Sequence, residues 1–285
     1  MRASPVTPET LALVLSDMDG TLLNSDKQLT ARAVRAVQAL RGAGLRFAVT
    51  SGRSPLGMRM FLPPLALATP LAAFNGGLYV AATDLSSLRA YCLDGSLVAE
   101  VLRELESYRL DPWLYRAQDW LVRDLDGPHV AREQHNSRVT PARVESFAGL
   151  TEGVIKIVGV SDDAAAVRAC EQALQTQWAS RISAERSQPY YLDVTHPQAN
   201  KGEVLEHLSS WLGVPRECIA TIGDQENDVR MFARSGLAIA MGNAPPEVQA
   251  QAHWTTASCD EEGFALAMER LVAERAHAPG PGLLR

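Results

Sequence analysis

The sequence has few cysteines and no excess of basic residues, and each shortage excludes a class of protein. Four cysteines occur in 285 residues, without a C-x-x-C pair or a zinc-ligand spacing, so reduced thiols are expected rather than a disulfide scaffold. The six histidines form no H-E-x-x-H or Cys/His set, which excludes the usual zinc sites. Lys and Arg together number 27 against 33 acidic residues, and the net charge of −6 argues against binding nucleic acid.

The apolar segments are too short for a membrane protein. The longest, residues 61–74, is interrupted by Pro63, Pro64 and Pro70, whereas a bilayer span needs about 20 consecutive apolar residues. Residues 1–10 contain two prolines and no apolar stretch, which is not the pattern of a signal peptide. These features predict a cytoplasmic protein that does not enter the membrane.

Apolar runs of strand length alternate with helical patterns in the first and last thirds of the chain. Thr30 can cap a helix that runs to about Leu40, and a second helical pattern covers residues 201–212. The predicted strands are residues 11–16, 45–50, 71–74, 218–222 and 237–240. This strand–helix–strand order predicts an α/β fold with a Rossmann-like parallel sheet.

The middle third has a different pattern. Two long amphipathic segments, residues 97–110 and 162–179, are interspersed with four predicted strands. Those strands are residues 113–115, 120–123, 154–160 and 190–194. We therefore expect residues 1–83 and 194–285 to form one discontinuous core domain, and residues 84–193 to form an inserted α+β domain.

The strongest chemical signal directly follows the first predicted strand. Asp17-Met18-Asp19-Gly20-Thr21 places two carboxylates two residues apart, so both can point to the same side of an extended chain. In open α/β sheets, ligands bind beyond the carboxyl ends of the strands. One carboxylate could then act as nucleophile and the other as acid and base. The alternative is a strand that simply ends in an Asp-Gly turn.

A second acidic segment follows the strand at residues 218–222. It contains Asp224, Glu226 and Asp228, which would repel Asp17 and Asp19 if all five met without a cation. A divalent cation would relieve that repulsion, and a ligand set made only of oxygens favours Mg²⁺. The alternative is a solvated acidic loop that caps the next helix.

With these motifs, the chain resembles the haloacid dehalogenase (HAD) superfamily, and within it the Cof-type phosphatases with an inserted α/β (type IIB) cap. The resemblance covers residues 11–275, and its motifs occur in the order of the family. They are Asp17 to Leu23, Thr50-Ser51-Gly52-Arg53, Asn75-Gly76-Gly77, Asn200-Lys201-Gly202, Gly223 to Asp228, and Ala240-Met241-Gly242-Asn243-Ala244.

The resemblance implies a role for each of these positions. Asp17 would attack phosphorus and form an aspartyl-phosphate, and Asp19 would protonate the leaving oxygen and then activate water. Mg²⁺ would be held by Asp17, the backbone carbonyl of Asp19 and Asp224, with Asp228 supporting the metal site. The residues implied in binding the phosphoryl group are Ser51, Gly52, Lys201 and Asn227.

Without the resemblance, the sequence around Ser51 and Lys201 supports different interpretations of the two residues. Thr-Ser-Gly after a strand is usually a turn or a helix cap, so Ser51 alone would be structural, and Thr50 offers a competing hydroxyl. Lys201 is one of only three lysines and opens a predicted helix, where a cation opposes the helix dipole. An anion at that end would relieve the conflict, and phosphate is favoured by both lysine and helix N-termini.

The predicted function is Mg²⁺-dependent hydrolysis of a small phosphorylated metabolite, with a sugar phosphate favoured over flavin mononucleotide and pyridoxal phosphate. The alternatives are phosphohexomutase-like transfer, C–halogen hydrolysis, and a non-catalytic metabolite-binding protein on the same fold. Asp19 together with the Asp224/Asp228 pair argues against C–halogen hydrolysis. The candidate substrate-binding residues are Arg53, Asn75, Gly76, Tyr190, Tyr191 and His196.

Overall fold

The computed structural model describes residues 8–276, which pack into two units. The first unit contains residues 8–51, 61–71 and 201–276 of the described chain, and the second contains residues 52–60 and 72–200. The second unit is therefore inserted into the first in sequence. The limits of the inserted domain predicted from the sequence, residues 84 and 193, remain a prediction.

The elements are numbered here in chain order. The strands are β1 (Leu13–Ser16), β2 (Arg46–Val49), β3 (Leu71–Ala73), β4 (Leu78–Val80), β5 (Ser87–Ala90), β6 (Asp111–Tyr115), β7 (Trp120–Val122), β8 (Ala142–Arg143), β9 (Lys156–Val160), β10 (Ser183–Gln188), β11 (Tyr191–Thr195), β12 (Ile219–Gly223), β13 (Leu237–Ala240) and β14 (Trp254–Thr255). The helices are α1 (Ala31–Gly42), α2 (Pro55–Met58), α3 (Leu62–Leu65), α4 (Gly95–Ser107), α5 (Val130–Ser137), α6 (Ala164–Trp178), α7 (Lys201–Leu212), α8 (Glu226–Phe232), α9 (Pro246–Gln249) and α10 (Gly263–Ala276).

The first unit is built on a parallel sheet of five strands in the order β14-β13-β12-β1-β2. The central strands β1, β12 and β13 are buried at every position, as continuous apolar runs predict for a sheet covered on both faces. Ser16 at the end of β1 pairs with Ile222 of β12 and with Val49 of β2. The segments that follow these three strands therefore begin side by side at one edge of the sheet.

Helices of the first unit pack in pairs. Helix α1 contacts α10, and α7 contacts α8. Phe47 of β2 and Phe264 of α10 meet edge to face, with ring centroids 5.8 Å apart. The predicted cap of α1 is confirmed, since the Thr30 hydroxyl accepts a hydrogen bond from the Ala33 N–H at 3.1 Å.

The second unit contains a six-stranded sheet in the order β10-β11-β9-β6-β7-β8. Neighbouring strands are antiparallel except for β7 and β8. Helices α4 and α6 pack against this sheet and against each other. Leu114 of β6, Ile157 of β9 and Leu192 of β11 lie in the apolar cluster that these helices complete. A separate sheet of three strands has the order β3-β4-β5.

The structure differs from the sequence predictions at several elements. The strand predicted at residues 71–74 forms as β3, but it pairs with β4 instead of joining the five-stranded sheet. Strands β8 and β10 and helix α5 were not predicted, because their sequences are polar and largely exposed. Among residues 8–276, no helix has both the length and the apolar character needed to cross a bilayer.

Candidate active site

The candidate site of the first unit lies where β1 and β12 end and where α7 begins. Asp17 directly follows β1, and its backbone N–H bonds to the Ile222 carbonyl of β12 at 3.0 Å. Asp224 directly follows β12, and Lys201 is the first residue of α7. Parallel strands bring the two acidic segments together, because their carboxyl ends meet at the same edge of the sheet.

Lys201 joins the two acidic segments by a pair of short ion pairs. Its Nζ lies 2.6 Å from Asp17 Oδ1 and 2.6 Å from Asp228 Oδ1, and 3.3 Å from Asn227 Oδ1. The Lys201 side chain is only 2% exposed. A buried ammonium with three oxygen neighbours is held in one position, which suits it to bind a phosphoryl group beside Asp17.

Asp228 shapes the second acidic segment as well as pairing with Lys201. Its Oδ2 accepts hydrogen bonds from the backbone N–H groups of Asp224 and Gln225, both at 2.9 Å, and so caps α8. Gly223 is required there, because a Cβ at that position would lie 2.3 Å from Asp228 Cγ. The Asp228 carboxylate therefore positions both Lys201 and the Asp224 backbone.

Burial sets the protonation behaviour of this cluster. Burial is the main cause that raises the pKa of Asp17 well above its ordinary value; the charge of Lys201 opposes the rise, and Asp228 and Asp224 add to it. The pKa of Asp224 is also raised, again mainly by burial. Burial acts to lower the pKa of Lys201, but the charges of Asp17 and Asp228 outweigh it and keep that pKa raised, so Lys201 stays protonated.

Three carboxylates of the cluster fit a metal ion. Asp17, Asp224 and Asp228 are all buried, and each offers an oxygen within 4.8 Å of those offered by the others. When all three acids are ionised, the single positive charge of Lys201 does not balance them. A buried, acidic site made only of oxygen ligands is the chemistry that a hard divalent cation requires.

Asp19 lies in the loop after β1 and is more exposed than Asp17. It forms an ion pair with Lys27 at 3.1 Å, and the Asp19 side chain is 31% exposed. An isolated bridge between Asp19 and Leu23 closes this loop on itself. The carboxylate therefore has the access to solvent that an acid and base would need in order to exchange protons.

The two candidate hydroxyls after β2 are both buried. The Thr50 N–H bonds to the Ser16 carbonyl at 2.9 Å, so Thr50 and Ser51 begin next to Asp17 in the sheet register. The Thr50 hydroxyl has no hydrogen-bond partner among residues 8–276. Ser51 is 1% exposed.

Four predicted residues of the second unit, Gly52, Arg53, Asn75 and Gly76, lie around one turn. The Phe74 N–H bonds to the Arg53 carbonyl at 2.9 Å, and a Cβ at Gly52 would lie 3.6 Å from Asn75 Nδ2. Asn75 has a φ of 56°, and Gly76 follows it with a φ of 99°. The Arg53 guanidinium donates to the Asn136 carbonyl at 3.1 Å, so this side chain connects the turn to the end of α5.

The three other predicted substrate residues lie in aromatic contacts within the second unit. Tyr190 stacks on His129 with ring centroids 4.1 Å apart. Tyr191 packs edge to face on Trp113 at 5.4 Å, and burial raises the pKa of its hydroxyl. His196 stacks on Tyr91, and burial lowers its pKa. Packing accounts for the placement of all three rings.

The sequence predictions missed the polar groups that surround Asp224. Thr21 Oγ1 donates to Asp224 Oδ1 at 2.9 Å, Gln225 Nε2 donates to Oδ2 at 2.7 Å, and Asn243 Nδ2 lies 3.3 Å from Oδ2. All three residues lie inside motifs that the sequence already marked, which was the available signal. Their partner could not be inferred, because each contact depends on side-chain orientation across loops.

A model of the haloacid dehalogenase-like hydrolase family matches residues 14–268, which is most of the chain. The chain belongs to this family. Together with phosphatases among its relatives, the match identifies the protein as a phosphatase of the HAD superfamily and confirms the Cof-type resemblance.

Individual relatives are similar along nearly their whole length. The 5-amino-6-(5-phospho-D-ribitylamino)uracil phosphatase YitU of Bacillus subtilis is 29% identical over 266 residues, which cover 89% of this chain and 94% of that protein. The crystal structure of a haloacid dehalogenase-like hydrolase from Bacteroides thetaiotaomicron has a TM-score of 0.84 at 26% identity, covering 92% and 99% of the two chains. A HAD subclass IIB sugar phosphatase shares the fold, with a TM-score of 0.79 at 20% identity over 91% and 98%.

Proposed function

We propose that this phosphatase hydrolyses the phosphomonoester of a small metabolite, with a sugar phosphate as the favoured class, in a Mg²⁺-dependent reaction through an aspartyl-phosphate on Asp17. The observation that carries the proposal is the position of Lys201 Nζ, 2.6 Å from both Asp17 and Asp228 inside a buried carboxylate cluster. Phosphoryl transfer depends mostly on positioning and charge stabilisation, and this cluster supplies both.

Asp17 and Asp19 have different roles in the proposed reaction, Asp17 as the nucleophile and Asp19 as the acid and base. A carboxylate oxygen of Asp17 forms the bond to phosphorus as the bond to the ester oxygen breaks, and Asp19 gives its proton to that leaving oxygen. Asp19 then takes a proton from the water that attacks phosphorus, which releases phosphate and restores the Asp17 carboxylate. The access of Asp19 to solvent supports this double role, and the burial of Asp17 protects the intermediate from other nucleophiles.

Asp17, Asp224 and the backbone carbonyl of Asp19 would hold Mg²⁺, with Asp228 supporting the site. The ion would supply positive charge that offsets the negative charge of the phosphoryl group and of the carboxylates. Lys201 provides a second positive charge, and Ser51, Gly52 and Asn227 would complete the phosphoryl contacts. The closeness of Asn227 to Lys201, at 3.3 Å, supports its assignment.

The proposed substrate class rests on the relatives. YitU is named for a phosphorylated ribityl compound, and a subclass IIB relative in fold is named a sugar phosphatase. Both names describe a phosphate on a polyhydroxylated carbon chain. We propose that residues 84–193 act as the cap that selects the leaving group, and the separate sheet and apolar core of the second unit are consistent with an independent lobe.

All four cysteines are unpaired in the structure, in keeping with a reducing compartment. We propose that the reaction takes place in the cytoplasm, with a small phosphorylated metabolite as partner and with neither nucleic acid nor membrane involved.

A phosphate-release screen tests the proposed function. The panel contains sugar phosphates, the phosphoribityl compound named for YitU, flavin mononucleotide and pyridoxal phosphate, each with Mg²⁺ and with a chelator. We expect Mg²⁺-dependent release that is fastest with a sugar phosphate. Release that is fastest with flavin mononucleotide would reject the sugar class. Isomerisation of a sugar phosphate without release of phosphate would indicate a mutase.

Asp224 is expected to be a direct metal ligand. Asp224→Ala should raise the Mg²⁺ concentration that gives half-maximal activity by about tenfold or more, because a carboxylate ligand is lost. Glu226→Ala is the matched control, since Glu226 is an exposed acid two residues away. An unchanged Mg²⁺ requirement in Asp224→Ala, or an equal rise in both variants, would contradict the assignment.

Asp19→Asn should slow the enzyme in a way that depends on the leaving group. An alkyl phosphate needs its leaving oxygen protonated, whereas para-nitrophenolate leaves readily without a proton. We expect kcat for a sugar phosphate to fall by roughly 10²- to 10⁴-fold, the usual range for an acid and base, and the formation of the phosphoenzyme from para-nitrophenyl phosphate to fall less. The rate of phosphoenzyme formation is measured for both substrates under single-turnover conditions. An equal loss of that rate with the sugar phosphate and with para-nitrophenyl phosphate would argue against a proton donor at this position.

A further inference from the structure

Asn243 connects three segments that are far apart in the sequence. Its Nδ2 donates to the Gly20 carbonyl at 2.9 Å and lies 3.3 Å from Asp224 Oδ2. Its Oδ1 accepts a hydrogen bond from the Cys259 N–H at 2.8 Å. The side chain therefore contacts both acidic segments of the candidate site and fastens them to the loop that precedes α10.

The contact between the two acidic segments is close at this point. Gly20 has a φ of 82°, and a Cβ at this position would lie 2.5 Å from Asp224 Oδ2. The Asp224 carboxylate also accepts from Thr21 and Gln225. Thr21 and Gln225 belong to the two acidic segments, whereas Asn243 belongs to neither. The Asn243 side chain therefore fixes the two segments relative to a third part of the first unit.

Stability alone does not explain these contacts well. Asn243 is an exposed residue, and a hydrogen bond at an exposed position contributes little to the free energy of folding. The larger consequence is geometric, because the orientation of a carboxylate that binds metal is set by the groups that bond to it.

We propose that Asn243 is a positioning residue, which holds the Asp224 carboxylate and the loop of Asp19 and Gly20 in the arrangement that binds a divalent cation. The proposal rests on the metal site described under the proposed function. Asn243 acts through Asp224 and through the loop that carries Asp19, and it has no chemical role of its own in the reaction.

The test compares Asn243→Ala with Gln249→Ala. Gln249 is a matched control, because its amide bonds to the Gly242 and Ala244 carbonyls on either side of Asn243 and stabilises the same loop. The probe is Mn²⁺ alone, with its dissociation constant measured by electron paramagnetic resonance in the absence of substrate. The Tm of each variant in chelator, and kcat with para-nitrophenyl phosphate at saturating Mg²⁺, are measured alongside.

We expect Asn243→Ala to bind Mn²⁺ about tenfold more weakly, with a Tm within about 3 °C of the wild type, since partners of metal ligands typically have effects of this size. Gln249→Ala should stay within about twofold of the wild-type dissociation constant, since its amide contacts no ligand. Unchanged Mn²⁺ binding in Asn243→Ala would overturn the inference, and so would equal weakening in both variants, since the effect would then belong to the loop.

The same measurement separates this inference from the proposed function. Asp224→Ala should bind Mn²⁺ far more weakly than Asn243→Ala. If Asp224→Ala binds Mn²⁺ as tightly as the wild type, the assignment of the metal site is wrong, and the role of Asn243 is rejected with it. If Asp224→Ala loses Mn²⁺ and Asn243→Ala does not, only the role of Asn243 is rejected.

Discussion

Replacing Asp17 by Asn is expected to abolish turnover and to stabilise the fold. Without the nucleophile, kcat should fall by on the order of 10⁴-fold or more, as in other enzymes that lose a covalent catalyst. The gain in stability follows from the raised pKa of Asp17, which shows that burial disfavours its ionised form. Lys201 keeps Asp228 as a partner in this variant, so no cation is left unpaired.

The size of the stability effect depends on pH. A group whose pKa rises on folding favours the folded state below its ordinary value, here 3.8, and loses that contribution as the pH rises through the folded pKa. At neutral pH the Asp17 carboxylate therefore destabilises the fold. Asp17→Asn should raise the Tm by a few degrees in chelator, and the gain should shrink as the pH is lowered and the wild-type carboxyl becomes protonated.

Differential scanning calorimetry between pH 5 and 8, together with kinetics on para-nitrophenyl phosphate, checks both parts. Asp26→Asn is the matched control, because Asp26 is an exposed carboxylate nine residues further along the same loop region. It should leave kcat and Tm unchanged. Substantial turnover by Asp17→Asn would remove Asp17 as nucleophile, and a lower Tm would show that its ion pair with Lys201 outweighs the cost of burial.

Of the single substitutions at the site, Lys201→Met should have the largest combined effect on stability and activity. It leaves the carboxylates of Asp17 and Asp228 buried without their shared cation, and removing one partner of a buried ion pair typically costs about 3–5 kcal/mol. The Tm should fall by roughly 10 °C in a chain of this size. Activity should be lost as well, because the phosphoryl group loses its ammonium partner.

Two further variants separate catalysis from stability. Asp17→Asn combined with Lys201→Met should recover part of the lost Tm and no activity, because one of the two unpaired charges is removed. Lys156→Met is the matched control, since Lys156 pairs with Asp193 at 2.6 Å in the second unit and its side chain is 13% exposed. It should lower the Tm and retain turnover of para-nitrophenyl phosphate. A wild-type Tm for Lys201→Met would show that the buried cation is dispensable.

The sequence was sufficient to predict the part of the site that depends on strand order. Continuous apolar runs identify β1 and β12, and parallel pairing brings Asp17 and Asp224 to one edge of the sheet. Lys201 was predicted at a helix start, and the structure places it between Asp17 and Asp228. Its electrostatic conflict with the helix dipole is met by those two carboxylates.

The remaining features depend on contacts that periodicity does not encode. Asn243, Thr21 and Gln225 converge on Asp224 through side-chain orientation, and no spacing in the sequence indicates a shared partner. Strand β10 was missed because its residues are mostly polar and exposed. Strand β3 was recognised but assigned to the wrong sheet, since an apolar run indicates burial and does not identify the neighbouring strand.

The central claim is that Asp17 carries the phosphoryl group during turnover. The most direct measurement is rapid acid quenching of Asp19→Asn during reaction with para-nitrophenyl phosphate, followed by mass spectrometry of the peptides. Loss of the base should slow hydrolysis of the phosphoenzyme more than its formation, so the phosphoenzyme should accumulate. We expect one phosphoryl group on Asp17, absent when Asp17 is also replaced by Asn. A phosphoryl group on another residue, or continued turnover with no phosphoenzyme at any quench time, would contradict the account.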